Sequence, residues 1–365
     1  MGYQWTLNPK GQYVDGHERA DVIAYCNNVF LPAIAELEKH TRKYGDRDGE
    51  TTADLTVRRM VIWWHDESTF YAHDRRQTRW VHKSETAKPY AKGEGHSLMV
   101  ADFVSADHGW LRSPNGRESA RVLFRAGKNR EGYFDNQNIR DQAAKAMEIL
   151  QKHYPDEDHV FIFDNATTHL KCPEGALSAL KMMKGPSANF TVEVNDLDNN
   201  GKLQYAPNGK TLKKKISIRN GRLPNGEEQA FYYSNDPTHP HAGQFKGMAV
   251  ILEERGFAEA QKWKAQCSKK FLDCQVSKTH CCCRRTLFNQ PDFVGVESIL
   301  ETEVKEKGYK VLFLPKFHCE LNFIEQCWGA AKRAYRLKPA SSSEANLERN
   351  VASCLDEVSL ISMHR

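Results

Sequence analysis

No stretch of the 365-residue chain approaches 18 consecutive apolar residues, so a membrane-spanning helix is not expected. The opening residues, MGYQWTLNPKG, have no apolar middle, which speaks against a secretory signal. Charge of one sign is not in large excess: 52 basic against 47 acidic residues leave +5. That balance gives no polyelectrolyte tail, so any affinity for phosphates has to come from local clusters. The Cys-x-x-Cys pairs common in zinc modules are missing, and no internal repeat is found. With no export signal, the ten cysteines are expected to stay mostly reduced.

What is present is an ordinary apolar share, 40%, enough for a real core in one large domain or two smaller ones. Residues 1–16 read as an irregular lead-in. His17 to Tyr44 has helical spacing (Val22, Cys26, Val29, Phe30, Ile34, Leu37), with a break or kink expected at Pro32. Met60–Trp64 reads as a strand ending at His65-Asp66-Glu67. Further strands are expected at 78–81, 97–104 and 120–124, in the manner of an antiparallel meander. An amphipathic helix is expected over 138–154. A buried strand, Val160–Phe163, then meets Asp164, and a helix is expected from about Pro173 to Lys184. Beyond it the texture turns rich in Gly, Asn and Lys. A helix over 245–255, a strand at 311–314 and a helix over 321–336 close the pattern, before a Ser-rich tail.

Three acids stand out. Asp66 and Asp164 each follow a short apolar strand, and Glu325 lies beside the apolar stripe of the last helix. In α/β sheets, ligands gather outside the carboxyl ends of strands. Hard oxygen ligands on rigid elements are what two-metal phosphoryl transfer needs. Taken singly, each acid reads more readily as a cap or a solvated carboxylate. His65 and His169 flank two of them and read either as packed side chains or as groups that orient DNA. Arg284-Arg285 and Lys332-Arg333 with Arg336 are clusters suited to phosphate contacts, like Arg75-Arg76 and Lys213-Lys214-Lys215.

HDES around Asp66, FDNATTH around Asp164 and LPKFHCELNFIEQCWGAAKR from Leu314 resemble the three signature blocks of mariner-like DDE transposases. The last block keeps Leu314, Pro315, Leu321, Asn322, Ile324, Glu325 and Trp328. It departs from the family at Phe317, His318 and Cys319, and at Phe323, where proline is usual. DGHER, AGKNREGYF and CCCRRTLFNQPDF are similar to a divergent fungal-type branch.

The resemblance implies an α/β, ribonuclease-H-like mixed sheet with flanking helices. It also implies catalysis by Asp66, Asp164 and Glu325 holding two Mg²⁺ or Mn²⁺ ions, with DNA as partner, a homo-oligomer when active, and the nucleus as location. The activity would be hydrolysis of DNA phosphodiesters followed by strand transfer. The chain from Asp164 to Glu325 is several times longer than in the family. A strand-rich, Cys-containing insertion over 185–308 is therefore expected between core segments 56–184 and 309–340, with a lead-in at 1–55 and a tail at 341–365. Within the insertion, Cys267, Cys274, His280 and Cys282 are candidate zinc ligands, against the alternative of plain reduced cysteines. The family carries helix-turn-helix modules ahead of its core, for which residues 1–55 offer a single clear helix. Two rival readings follow: a transposon-derived, non-catalytic DNA-binding protein, and a general metal-dependent nuclease of the same fold.

Overall fold

The computed structural model describes residues 16–44, 58–74, 93–198, 204–207, 211–267, 280–339 and 343–363. The chain divides into two compact units, Met1–Lys171 with Leu300–Arg365, and Cys172–Ile299. The second unit is thus an insertion in the first, and its edges fall somewhat earlier than the 185–308 expected from the sequence.

The first unit is built on a six-stranded mixed sheet. Its strands are β1 (Met60–Tyr71), β2 (Ser97–Ser105), β3 (Gly109–Trp110), β4 (Val122–Phe124), β5 (Asp158–Phe163) and, after the second unit, β10 (Lys310–Phe313). The spatial order is β10-β5-β1-β2-β3, with β4 also paired to β2. β1 and β2 are antiparallel, whereas β1, β5 and β10 are parallel. A long antiparallel pair followed by two parallel strands added on the far side of β1 is the ribonuclease-H-like arrangement. β5 is buried from His159 to Phe163, as expected of a parallel strand covered on both faces.

Helix α3 (Asn136–His153) covers one face. Its start is fixed by a reciprocal cap: the Asp135 carboxylate accepts from the Gln137 and Asn138 amides, and the Asp135 amide donates to the Asn138 side chain. Ile139, Ala143, Met147 and Leu150 then pack on Val61, Trp63, Phe103 and Phe161. The other face is covered by α8 (Phe323–Leu337), α9 (Glu344–Asp356) and α10 (Leu360–Met363). Trp328, Tyr335, Val351 and Leu355 bury Phe70, Val100 and Trp110, and Trp110 Nε1 donates to the Leu355 carbonyl at 2.9 Å. Residues 343–363 thus add Leu347, Val351, Cys354, Leu355 and Met363 to the core of the first unit.

Near the N-terminus, α1 (Ala20–Tyr25), one wide helical turn (Cys26–Phe30) and α2 (Leu31–Glu38) follow each other without a break. Pro32 is the second residue of α2, directly after that wide turn, and the chain stays helical through it. Phe30 packs with Ile162 and Leu314, and Leu37 with Met60 and Val160.

Among the described residues the second unit has two small antiparallel pairs, β6 (Val192–Asn195) with β7 (Lys213–Ile216) and β8 (Gly221–Arg222) with β9 (Glu228–Gln229). Short helices α4 (Met248–Glu254), α5 (Cys283–Phe288) and α6 (Pro291–Val294) accompany them. Phe231, Phe245, Met248, Leu252 and Leu287 form its core. Helix α7 (Ile299–Glu306) leads back to β10.

Two sequence expectations are corrected. Residues 173–184 form turns and a single tight helical turn at Ala179–Lys181 instead of a helix; Gly175 sits at φ +72°, a conformation an α-helix excludes. β1 does not stop at Trp64 but runs on to Tyr71, because β2 pairs with it from Trp64↔Val104 to Tyr71↔Ser97. The strand expected at 78–81 lies outside the described residues.

One buried ion pair ties β2 to the loop before β4. Asp102, fully buried, accepts from Arg121 Nε at 2.6 Å and from the Phe103 amide at 2.8 Å. Arg121→Ala would leave that carboxylate buried and unpaired, and should cost about 3–5 kcal/mol in urea unfolding. Arg121→Ala/Asp102→Ala should recover most of the loss.

Candidate metal centre

Each of the three acids is placed by a different element. On β1, alternation sends His65 and Glu67 to the α3 face and Asp66 to the α8 face. The parallel pairing of β1 with β5 runs up to Trp64↔Ile162. Continued by two residues, that register sets Asp66 beside Asp164, just past the carboxyl end of β5. On the other side of β5 the Leu314 amide donates to the Phe163 carbonyl at 2.9 Å.

Glu325 lies in the first turn of α8, and its amide donates to the Asn322 carbonyl at 3.1 Å. The Asn322 side chain, buried, donates to the His65 carbonyl at 3.2 Å, one residue from Asp66. At the far end the Tyr335 hydroxyl donates to the Tyr71 carbonyl at 3.0 Å. These two bonds lay α8 along β1 and bring Glu325 towards Asp66.

The Asp66 carboxyl is pushed up to about 8, first by burial and then by the negative charges of Glu67, Glu325 and Asp164, against one main-chain hydrogen bond. Asp164 is also partly buried, yet its carboxyl is held below the ordinary range by His169 and by the Ala166 amide, which donates at 3.1 Å. His169 Nδ1 is hydrogen-bonded to the same carboxylate oxygen. Burial pushes Glu67 up as well, opposed by His169. Lys332, one of the expected phosphate contacts, is half-buried, with its ammonium 5.5 Å from the centre of the Phe70 ring. Burial and Arg336 lower its pKa, while the charges of Glu325, Asp74 and Asp66 favour its charged form. Asp66 thus feels the charges of Asp164 and Glu325, with Lys332 at the edge, but as placed the three carboxylates do not all come within 4.8 Å of one another.

The chain matches no protein-family model and no curated protein. Among solved structures it is similar to the Mos1 mariner paired end complex with Mn, at TM-score 0.29 and 15% identity over 46% of this chain and 42% of that one. The Mos1 paired end complex with Mg gives the same figures. The Mos1 strand transfer complex matches at TM-score 0.28 and 14% identity, over 45% of this chain and 41% of that one. The chain thus spans less than half the length of the Mos1 chains it matches.

The remaining expected site residues fall in several places. Arg336 is paired with Asp74 at 3.0 Å, and Arg333 is exposed on α8. Arg284 is turned inward: its guanidinium donates to the carbonyls of Ala179, Leu180 and Met182, so it is not free to meet phosphate. Arg285 beside it is half-buried. In the second unit, main-chain bonds from Cys283 to Lys264 and from Arg284 to Ala265 draw two segments together. Among the described residues, the sulfurs of Cys267, Cys281 and Cys282 lie within 4.8 Å of one another. His280 is outside that trio, its ring 5.5 Å from Phe257, and Cys274 lies outside the described residues.

Two features were not read from the sequence. Asp102 is the direct cross-strand partner of Asp66, a pairing that only the β1–β2 register reveals. The loop 315–319, where the last block departs from the family, lines a cavity of about 360 Å³ with Asp164, Asn165 and Ala166. Phe317 in it adopts φ 67°, a conformation that bulky side chains rarely take. Its ring lies against Gly16, with the Arg19 guanidinium 5.5 Å from the ring centre, and the His17 and His318 rings meet edge to face. A Cβ on residue 16 would run into the Phe317 ring. Gly16→Ala should therefore cost about 1–3 kcal/mol in chemical unfolding, and Gly16→Ala/Phe317→Gly should restore part of it.

Proposed function

We propose that the first unit is a divalent-metal-dependent DNA phosphoryl-transfer domain of the mariner-like transposase type, with Asp66, Asp164 and Glu325 as its metal-binding carboxylates. The observation that supports this reading is the placement of Asp66: the β1–β5 register sets it beside Asp164, the Asn322 and Tyr335 bonds bring Glu325 towards it, and burial, then Glu67, Glu325 and Asp164, oppose its ionisation. Such repulsion is costly in an empty protein and is what bound cations relieve.

The donor set fits Mg²⁺ or Mn²⁺, which take carboxylate oxygens. Bound there, the ions would activate the attacking water or 3′-hydroxyl and stabilise the leaving oxygen. The chain's own residues supply the geometry. β1 holds Asp66 rigidly. His169 and the Ala166 amide orient the Asp164 carboxylate and keep it ionised. The Asn322 anchor fixes the turn that carries Glu325. Lys332 offers positive charge where a scissile phosphate would approach, and Arg333 offers a second contact one residue on. Action on DNA in the nucleus, with homo-oligomeric assembly, belongs to the same proposal. The sulfur trio of the second unit is proposed as a separate zinc site.

The test is a nicking and strand-transfer assay with Mg²⁺ or Mn²⁺. Nicking without strand transfer would make the protein a metal nuclease of this fold. DNA binding without any cleavage would make it a non-catalytic DNA-binding protein.

A further inference from the structure

Behind the carboxylate cluster, on the α3 face of β1, is a second group of ligands that the proposed reaction does not use. A ring nitrogen of His65, a ring nitrogen of His169 and a carboxylate oxygen of Glu67 lie within 4.8 Å of one another. Both histidines are buried, at 0% and 1% exposure. His65 Nδ1 and His169 Nε2 are buried without a hydrogen-bond partner.

The hydrogen bonds already made decide what those spare nitrogens are. The Gln142 amide donates through Nε2 to the Ala120 carbonyl at 3.1 Å, so its oxygen faces His65 Nε2, 3.0 Å away, and accepts. His65 therefore carries its proton on Nε2, and Nδ1 is a lone pair. His169 Nδ1 faces the Asp164 carboxylate, which also takes the Ala166 amide. A carboxylate that is ionised only accepts, so His169 carries a proton on Nδ1, and its Nε2 faces Glu67 Oε1 at 3.7 Å without a hydrogen bond.

Two histidines, each with one unpartnered buried ring nitrogen, and a carboxylate thus offer ligand atoms within 4.8 Å of one another.

From this we infer that His65, Glu67 and His169 form a buried site for a divalent cation of the zinc class, distinct from the carboxylate pair of ions. Zinc takes imidazole nitrogen and carboxylate oxygen at about 2.0–2.2 Å, which sets two donors about 3.4 Å apart at a tetrahedral angle. The 3.7 Å between His169 Nε2 and Glu67 Oε1 is close to that spacing. The outer partners are those of a metal-bound histidine: each ring gives its other N–H to an acceptor, Gln142 for His65 and Asp164 for His169. The cation would lock His169 in the tautomer that donates to Asp164, and so serve as a positioning element for that acid.

The test reads metal content, not DNA cleavage, so it stands apart from the proposed reaction. Full-length Cys267→Ser/Cys281→Ser/Cys282→Ser protein, purified in excess Mg²⁺ to fill the carboxylate cluster, should retain one zinc per chain. Replacement by Co²⁺ should give visible d–d bands without a thiolate charge-transfer band. Glu67→Gln, whose amide can donate to His169 Nε2, should stay folded but bind zinc at least about 100-fold more weakly, the upper end of the loss caused by removing an outer partner. Should the triple variant fail to fold, His65→Gln in the otherwise unaltered chain should lower the zinc content by one equivalent. A folded protein with no zinc at this site, or a Glu67→Gln protein that holds zinc as tightly as the parent, would overturn the inference.

Discussion

Asp66→Ala, Asp164→Ala and Glu325→Gln should each reduce metal-dependent DNA nicking by at least about 10³-fold, a loss of about 4 kcal/mol of transition-state stabilisation. Removing one carboxylate leaves too few hard ligands to hold two cations in line with the phosphate. Glu325→Gln is the sharpest of the three. It keeps the shape of the side chain in the exposed first turn of α8, leaves the Asn322–His65 anchor in place, and removes a charge that opposes ionisation of Asp66. Its protein should therefore be folded and inert. Nicking that survives all three changes would end the assignment of these acids to catalysis.

Metal-free Asp66→Asn protein should be more stable than the parent at pH 8 and no more stable below about pH 4. The sign follows from the direction of the shift. The folded-state pKa of Asp66, about 8, lies above the ordinary 3.8. Between those values the folded state binds the proton more tightly than the unfolded chain, so stability falls as pH rises through that window. Asparagine removes the penalty of ionising there, although its amide still has to be desolvated. A net gain on the order of 2 kcal/mol at pH 8 is expected. Mg²⁺ should act on the parent and hardly on the variant. At 100 times its dissociation constant it should stabilise the parent by about 2.7 kcal/mol and the variant hardly at all. Thermal unfolding with and without Mg²⁺ at pH 4, 6 and 8 would decide. A parent protein indifferent to both pH and Mg²⁺ would mean that these carboxylates do not share a centre.

The sequence was legible where a local pattern carries the information. The apolar runs before Asp66 and Asp164 and the stripe Ile324, Cys327, Trp328, Ala331 and Tyr335 gave the strands and the helix that position the acids. The amphipathic pattern of α3 was equally plain, within two residues at its start. The helix expected at 173–184 failed because Pro173, Gly175 and Gly185 outweigh a loose apolar spacing. The end of β1 was misplaced because polar residues from His65 to Thr69 look like a turn until β2 supplies their hydrogen bonds. Asp102 with Arg121, and Gln142 behind His65, depend on pairing between distant segments and leave no local trace. His65 and Glu67 could have been separated from Asp66 by strand alternation alone, since residues 65 and 67 must share the face opposite to 66.

The order of the strands in the chain also governs how the first unit can assemble. β1, β2 and β5 are present by residue 163, but β10, which seals the free edge of β5, comes only after the whole of 172–299. Until then a buried-type strand, His159–Phe163, offers an unpaired edge. Closing the sheet requires contacts between residues about 150 positions apart, which slows folding. During synthesis that exposed edge would be the stage most prone to aggregation. Early compaction of 172–299 would shorten the effective loop to be closed and speed the sealing of the sheet.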